Sequence, residues 1–316
     1  MTASPGFKGS DSSFPGARPF LKWAGGKTQL LHAIEPRLPR GLSDGTITRY
    51  VEPFVGSGAV FFFVNQRFPL KECYLYDINE ELVILYQAVK RDVSGLIDHA
   101  TALADEYAAA SGTERNDLFY QVRERFNRDR ATIDPAAYGD AWVGRAAQLL
   151  FLNKTCYNGL FRVNSRGGFN APFGKYKKPA ICNRAVLEAA SRALANAEIR
   201  LGDSAACAEV VDEETFVYFD PPYRPLNATS SFTSYAKNGF SDDDQVRLAE
   251  LFASLDRRGA KLMLSNSDPC NHDPGDRFFD DLYAAWTIER VPARRSINCR
   301  GDRRGTVAEL IIRNYD

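Results

Sequence analysis

Phe216-Val217-Tyr218-Phe219 followed by Asp220-Pro221-Pro222-Tyr223 is an apolar run that stops at an acid, two prolines and an aromatic ring. A short continuous apolar run bounded by turn residues predicts a buried strand of a parallel sheet. An acid leaving the carboxyl end of such a strand stands where open α/β sheets place their ligands. Pro222 restricts Pro221 to extended conformations, so the Pro221 carbonyl is held in one direction beside the carboxylate. Two acceptors and a ring then surround one point, which suits a planar ring carrying an exocyclic NH2, such as adenine. The lone pair of such an amine is delocalised into its ring, and the nitrogen is a poor nucleophile. Accepting both N–H bonds, at Asp220 and at the Pro221 carbonyl, favours a pyramidal nitrogen and returns the lone pair to it. Stacking on Tyr223 adds roughly 1–3 kcal/mol. With an ordinary Asp pKa of about 3.9, Asp220 is expected to be ionised at neutral pH without special tuning. A strand closed by a proline turn is the plainer reading of the same residues.

Working outward, similar apolar runs alternate with helical patterns. Tyr50–Phe54 leads into a glycine turn and a helix from about Ala59; Cys73–Tyr76 ends at Asp77 and precedes a helix near Glu80–Lys90. Ile199–Leu201 ends at Asp203, and after Phe216–Phe219 a helix is expected over Asp243–Leu255, capped by Ser241 or Asp242 and followed by Gly259. Lys261–Ser265, Trp286–Val291 and Val307–Arg313 complete seven strand candidates. This alternation predicts an α/β fold, a doubly wound, mostly parallel seven-stranded sheet. Residues 91–197 break the rhythm with a mainly helical pattern that turns Gly/Asn-rich over Asn153–Gly174, a loop or hairpin region. The interval is too long for a connection and reads as an inserted domain. The expected division is residues 19–90 with 198–316 for the sheet, 91–197 for the insert, and 1–18, rich in Ser, Gly and Pro, as a disordered arm.

Composition narrows the class. In 316 residues, 44% are apolar and the net charge is zero, so a nucleic-acid partner has to be read from a local patch. Gln121–Ala180 holds 11 Lys/Arg against 4 Asp/Glu, and Arg294, Arg295, Arg300, Arg303 and Arg304 form a second basic cluster. A solvated face is the plain alternative for either. The six cysteines are scattered without a C-x-x-C pair, and the three histidines are equally dispersed. This argues against a zinc site and a disulfide framework, and gives metal or histidine chemistry no support. Reduced thiols, the absence of any apolar run of about 18 residues and the lack of a signal-peptide pattern fit a cytoplasmic protein without a membrane segment.

Glu52-Pro53-Phe54-Val55-Gly56-Ser57-Gly58 follows the first strand and opens a helix, and Asp77 closes the next strand 21 residues after Gly56. That spacing is close to the one at which an acid grips ribose hydroxyls in dinucleotide-binding folds. The third glycine of the dinucleotide pattern is missing, since Phe61 takes its place. A nucleoside without a pyrophosphate, such as S-adenosylmethionine, fits better. Upstream, Gly26-Lys27-Thr28 mimics the end of a phosphate-binding loop, but that loop needs glycine where Leu21 stands, and no strand precedes it. Trp23 could instead cover the cofactor.

Taken together, Phe20–Lys27, Glu52–Gly58, Asp77-Ile78-Asn79, Asn153–Gly174, Asp220–Tyr223, Asn227–Tyr235 and Arg294–Ile297 resemble the Dam-type DNA adenine-N6 methyltransferases that carry the recognition insert ahead of the D-P-P-Y motif. The likeness spans Pro19 to Tyr315. It implies the S-adenosylmethionine-dependent methyltransferase fold, and methyl transfer to N6 of an adenine in duplex DNA, with GATC as the expected site. Trp23, Lys27, Gly56, Asp77 and Asp220 match cofactor-pocket positions, and Glu52, Phe54 and Gly58 belong to the same motif. Asp203 is similar to an acid near the cofactor adenine, although Ser204 replaces a frequent aromatic. In Cys156–Arg162, which looks like the family's DNA-reading β-hairpin, Tyr157 matches the aromatic that enters the duplex when the adenine leaves, and Asn158 lies beside the vacated partner. Leu160, Arg162 and Pro172 match base-contacting positions, and Lys22 matches a lysine on the outer guanine.

Physical chemistry agrees with these roles. Extruding a base costs a few kcal/mol, part of which an inserted ring recovers. An arginine such as Arg162 can grip guanine O6 and N7 together. Arg166, Lys175, Lys177, Lys178 and the Arg294–Arg304 cluster are expected on phosphates. The expected enzyme is a monomer that uses no metal, with Asp220, Pro221, Pro222 and Tyr223 at the reacting amine. A cognate restriction endonuclease acting separately is compatible with it. A cytosine-N4 methyltransferase, which usually shows Ser at the Asp220 position, and a catalytically silent DNA-binding module are the alternatives.

Overall fold

The computed structural model describes residues 16–224, 240–294 and 306–316. One sheet contains β1 (Arg49–Glu52), β2 (Glu72–Asp77), β3 (Ala197–Leu201), β4 (Thr215–Phe219), β5 (Lys261–Ser267), β6 (Thr287–Arg294) and β7 (Thr306–Arg313). Their order is β3-β2-β1-β4-β5-β7-β6. β1 to β5 run parallel, and β7 lies antiparallel between β5 and β6. The doubly wound, mostly parallel seven-stranded sheet expected from the apolar runs is therefore the one observed. β5 extends two residues beyond its expected end, because Asn266 and Ser267 stay buried in the ladder with β7.

Strand order explains where a ligand belongs. The chain adds strands outward from β1 through β2 to β3, then returns to place β4 on the other side of β1. The crevice outside the carboxyl ends of β1 and β4 is thus a topological switch point, the usual ligand position in open α/β sheets. All five residues of β4 are buried, because both faces of the sheet are covered. Tyr50, Phe216 and Tyr218 join one apolar cluster, while Val51, Val217 and Phe219 join the other, as the two-residue period of a strand requires.

Among the described residues, seven longer helices cover the sheet and build the interval after β2. They are α1 (Ala59–Asn65), α2 (Glu80–Arg91), α3 (Val93–Ala109), α4 (Gly112–Arg128), α5 (Ala141–Thr155), α6 (Arg184–Ala193) and α7 (Asp242–Asp256). Asn79 caps α2 by accepting the Leu82 N–H, with Glu80 and Glu81 in its first turn and Lys90 and Arg91 in its last, which suits the helix dipole. Ser241, one of the two expected caps, starts α7 in a reciprocal box with Asp244.

The helices of residues 91–197 do not form a core of their own. Leu118 and Phe119 of α4 and Leu149 and Phe151 of α5 belong to the cluster that contains Leu82 and Leu85 of α2 and Tyr50 of β1. A buried ion pair crosses the same contact: Arg145 of α5 donates through Nε to Glu81 of α2 at 2.6 Å and through Nη1 to the Phe126 carbonyl at 2.9 Å. Over residues 153–174 the expected hairpin is sparser than a regular ladder, with two isolated antiparallel bridges, Cys156 to Phe173 and Val163 to Phe169. Ala17, placed in the arm by its composition, exchanges two hydrogen bonds with Gln66. Asn227–Tyr235, Ile297 and the basic residues from Arg295 to Arg304 lie outside the described residues.

Candidate active site

Asp220 leaves β4 at the switch point and meets a lysine. Lys27 Nζ lies 2.5 Å from Asp220 Oδ1 and donates to the Gly25 carbonyl at 2.7 Å. The same ammonium sits 4.5 Å from the centroid of the Tyr223 ring. Lys27 is only 6% exposed, so the pair works in a medium where charges are felt strongly. Ser265 of β5 donates to Asp220 Oδ1 at 3.4 Å and shares a 2.8 Å hydrogen bond with the Tyr218 hydroxyl. Burial, opposed by Lys27, raises the Asp220 carboxyl to about 6. The expectation of an untuned carboxylate is corrected here: Asp220 is still mostly ionised at pH 7, but by a margin of about one unit.

The turn after Asp220 is held from two sides. Gln245, fully buried on α7, donates to the Pro222 carbonyl at 3.2 Å and accepts from Asn266 of β5 at 3.3 Å. The Tyr223 hydroxyl donates to Glu309 of β7 at 2.6 Å. Among the described residues no donor is bonded to the Pro221 carbonyl.

The glycine turn forms the neighbouring wall. Gly56 and Gly58 have φ of 47° and 69°, a region that side chains disfavour. A Cβ on Gly56 would stand 3.2 Å from Trp23 Cδ1, and one on Gly58 would run into the Tyr86 hydroxyl at 2.5 Å. Asp77 accepts the Gly56 N–H at 3.2 Å and the Asn79 N–H at 2.9 Å, so it ties the turn to the start of α2. Burial lifts its carboxyl to about 6 against those two bonds. Glu52 is turned inward, 2% exposed, accepting from the Tyr50 hydroxyl at 2.8 Å. It lies close enough to Asp220 and Lys27 to feel both charges. Phe54 is half-buried against Phe240, and Asp203 is exposed at the end of β3, where it caps Ala205. Ile78, quoted in the Asp77-Ile78-Asn79 motif but given no role of its own, is 58% exposed beside Asp77, an apolar surface at the sheet's ligand edge.

The segment that carries Lys22 and Trp23 also touches the hairpin. Trp23 stacks on Phe161 with centroids 5.3 Å apart and planes 28° apart. Asn153, at the end of α5, accepts the Lys22 N–H at 2.9 Å and donates to the carbonyls of Lys22 at 2.7 Å and Gly159 at 3.1 Å. No feature of Asn153 beyond its place at the start of the Gly/Asn-rich stretch could have revealed this. Around that clamp the expected DNA-reading side chains point outward: Tyr157, Asn158, Arg162, Arg166, Pro172 and Lys175 are exposed, and Leu160 is half-buried. Tyr157 is 57% exposed. Arg162 is oriented by Asn170, whose side-chain oxygen and carbonyl accept its Nε at 2.8 Å and Nη2 at 3.0 Å. Lys22 lies 5.4 Å over the Tyr176 ring.

The basic excess divides. Arg145 is spent on Glu81 inside the protein, Arg130 faces Glu80 and Arg128 faces Asp129. Arg162, Arg166, Lys175, Lys177 and Lys178 are exposed, and none of them is in an ion pair among the described residues. Lys154, next to Asn153, is lowered to about 8 by burial and by the charge of Lys22.

The family described as D12 class N6 adenine-specific DNA methyltransferase matches residues 23–297. The Type II methyltransferase M.MjaIII of Methanocaldococcus jannaschii is 50% identical over 299 residues, which are 94% of this chain and 99% of that protein. The Type II methyltransferase M1.LlaDCHI of Lactococcus lactis subsp. cremoris is 35% identical, covering 94% of this chain and 95% of its own length. The DNA adenine methylase of Escherichia coli (strain K12) is 37% identical over 294 residues, 93% of this chain and 94% of that protein.

Proposed function

The chain belongs to the D12 class of N6 adenine-specific DNA methyltransferases, and we propose that it takes its methyl group from S-adenosylmethionine and places it on an adenine turned out of duplex DNA, within GATC. One observation carries the reading. The Lys27 ammonium touches the Asp220 carboxylate and faces the Tyr223 ring at once, so a single N–H donor fits both groups. The exocyclic amine of adenine has the same requirement.

The pocket walls suit that cofactor. The turn at Gly56 and Gly58 leaves no room for side chains, Trp23 covers it, Asp77 and the exposed Asp203 offer acceptors for hydroxyls, and Ile78 offers a flat apolar contact. When bound, the cofactor supplies an electrophilic methyl on a sulfonium. Asp220 and the Pro221 carbonyl accept the two N–H bonds of the amine and localise its lone pair, and Tyr223 orients the ring by stacking. Asp220 holds its negative charge because Lys27 and Ser265 offset part of the burial. Residues 91–197 act as the recognition part, with Tyr157 filling the gap left by the base and Leu160, Arg162 and Pro172 on base edges. Lys22 serves both sites, since Asn153 binds its backbone to the hairpin.

Incubating the protein with methyl-labelled S-adenosylmethionine and a random-sequence duplex library, then mapping the modified bases, tests the proposal. N6-methyladenine within GATC is the expected product. Methylation of another adenine context would remove the GATC assignment, and methylcytosine would remove the mechanism's substrate.

A further inference from the structure

We propose that Glu309 is a positioning residue for methyl transfer, holding the Tyr223 ring by its hydroxyl so that the ring faces the amine bound at Asp220. This rests on the reading that Tyr223 stacks on the target base. Tyr223 stands after the turn that leaves the sheet, three residues beyond Asp220, and the only anchor of its polar end among the described residues is Glu309. That bond is 2.6 Å long and joins residues 86 apart in sequence. A hydrogen bond to a carboxylate is stronger than one between neutral groups, and it fixes a ring that otherwise turns about two torsions. Because burial and the neighbouring charges of Asp220 and Glu309 raise the Tyr223 hydroxyl, it stays protonated and remains the donor.

The place of Glu309 in the strand supports a role at the site. Its three successors, Leu310, Ile311 and Ile312, are fully buried, and an acid is out of character in such a run. Its register partner on β5 is Ser267, the last residue of that strand, so Glu309 lies at the carboxyl edge of the parallel strands where the ligand crevice opens. The groups facing Asp220 are Lys27 from the N-terminal segment, Glu52 from β1, Tyr218 from its own strand, Ser265 from β5, Tyr223 and Glu309. Lys27 and Ser265 favour its ionised form, and the like charge of Glu309 opposes it. Glu309 therefore has two separable effects: it orients a ring, and it makes Asp220 a better acceptor near neutral pH.

The two effects can be read apart by single-turnover methylation of a duplex carrying the mapped site, from pH 5 to 9. In the wild type, kcat/KM should fall as the pH drops through about 6, where Asp220 takes up its proton. Glu309→Ala should slow transfer roughly tenfold or more at pH 8. Adding Tyr223→Phe to it should cost little more, because both changes delete the same bond. Glu309→Gln keeps an acceptor for the hydroxyl and should recover most of the rate at pH 8, while its acid limb moves to lower pH. A merely structural glutamate would not move that limb. A Glu309→Ala enzyme with wild-type rate and an unmoved limb overturns the proposal, as does a Glu309→Gln enzyme that is as slow as the alanine variant with its limb in place. Tyr223→Ala separates this from the underlying reading: if it transfers methyl groups normally, the stacking role of Tyr223 falls first. If it is slow while Glu309→Ala is normal, only the role of Glu309 falls.

Discussion

The mouth at Asp220 and the hairpin at Tyr157–Lys175 are built in opposite ways. At the mouth the main polar side chains are engaged inside the protein: Asp220 with Lys27 and Ser265, Tyr223 with Glu309, Asp77 with two backbone amides. On the hairpin it is chiefly the backbone that is engaged, and Arg162, held by Asn170, is among the few exposed side chains that are bonded. Asn153 and Asn127 clamp its main chain, the latter through the N–H of Phe169 at 2.7 Å and its carbonyl at 3.0 Å, while Tyr157, Arg166 and Lys175 point outward. The contrast follows from what each has to do. Activating an amine requires charges that are desolvated and fixed beforehand, so that no reorganisation is needed during the reaction. Reading a duplex requires side chains with unspent hydrogen bonds on a frame that does not bend.

The sharpest way to break the comparison is at Asp220. Asp220→Ala is expected to reduce transfer of labelled methyl groups by at least about a thousandfold, on the scale of removing a main electrostatic group, while gel-shift affinity for duplex DNA stays near wild type. Comparable loss of both would mean that the mouth also carries binding. Next in size is the frame that joins the two regions. Arg145→Ala strands Glu81 in the interior and should cost about 3–5 kcal/mol in urea unfolding; replacing the pair by Arg145→Met with Glu81→Leu should recover most of that. An unchanged midpoint in the single variant would show that the ion pair does not hold α5 against α2. The smallest effect is expected at the hairpin: Arg162→Ala should lose about 1–3 kcal/mol of preference for the cognate over a random duplex, with non-specific affinity little altered. Equal loss on both duplexes would reassign Arg162 to the phosphates.

Much of the catalytic half was legible beforehand because its signals are local. A parallel strand buried on both faces has to be continuously apolar, so Phe216–Phe219 announced β4 and its end announced Asp220. Ser241 and Asp244 wrote their cap within four residues, and Gly56 and Gly58 marked a turn that side chains disfavour. The supporting groups were hidden because each acts from far away in the chain. Glu309 meets Tyr223 across 86 residues, Asn153 meets Lys22 across 131, and Arg145 meets Glu81 across 64. A count of basic residues likewise missed that Arg145 is internal.

Sequence alone determined the order of strands and helices, the acid-proline-proline-tyrosine end of β4 and the residue types available for DNA, because apolar period, caps and turn chemistry act over a few residues. Only the tertiary structure decided how acidic Asp220 is, which partner holds Tyr223 and which arginines are left for an outside ligand. Those properties depend on burial and on charges a few ångströms away, and the fold brings such charges together from every part of the chain.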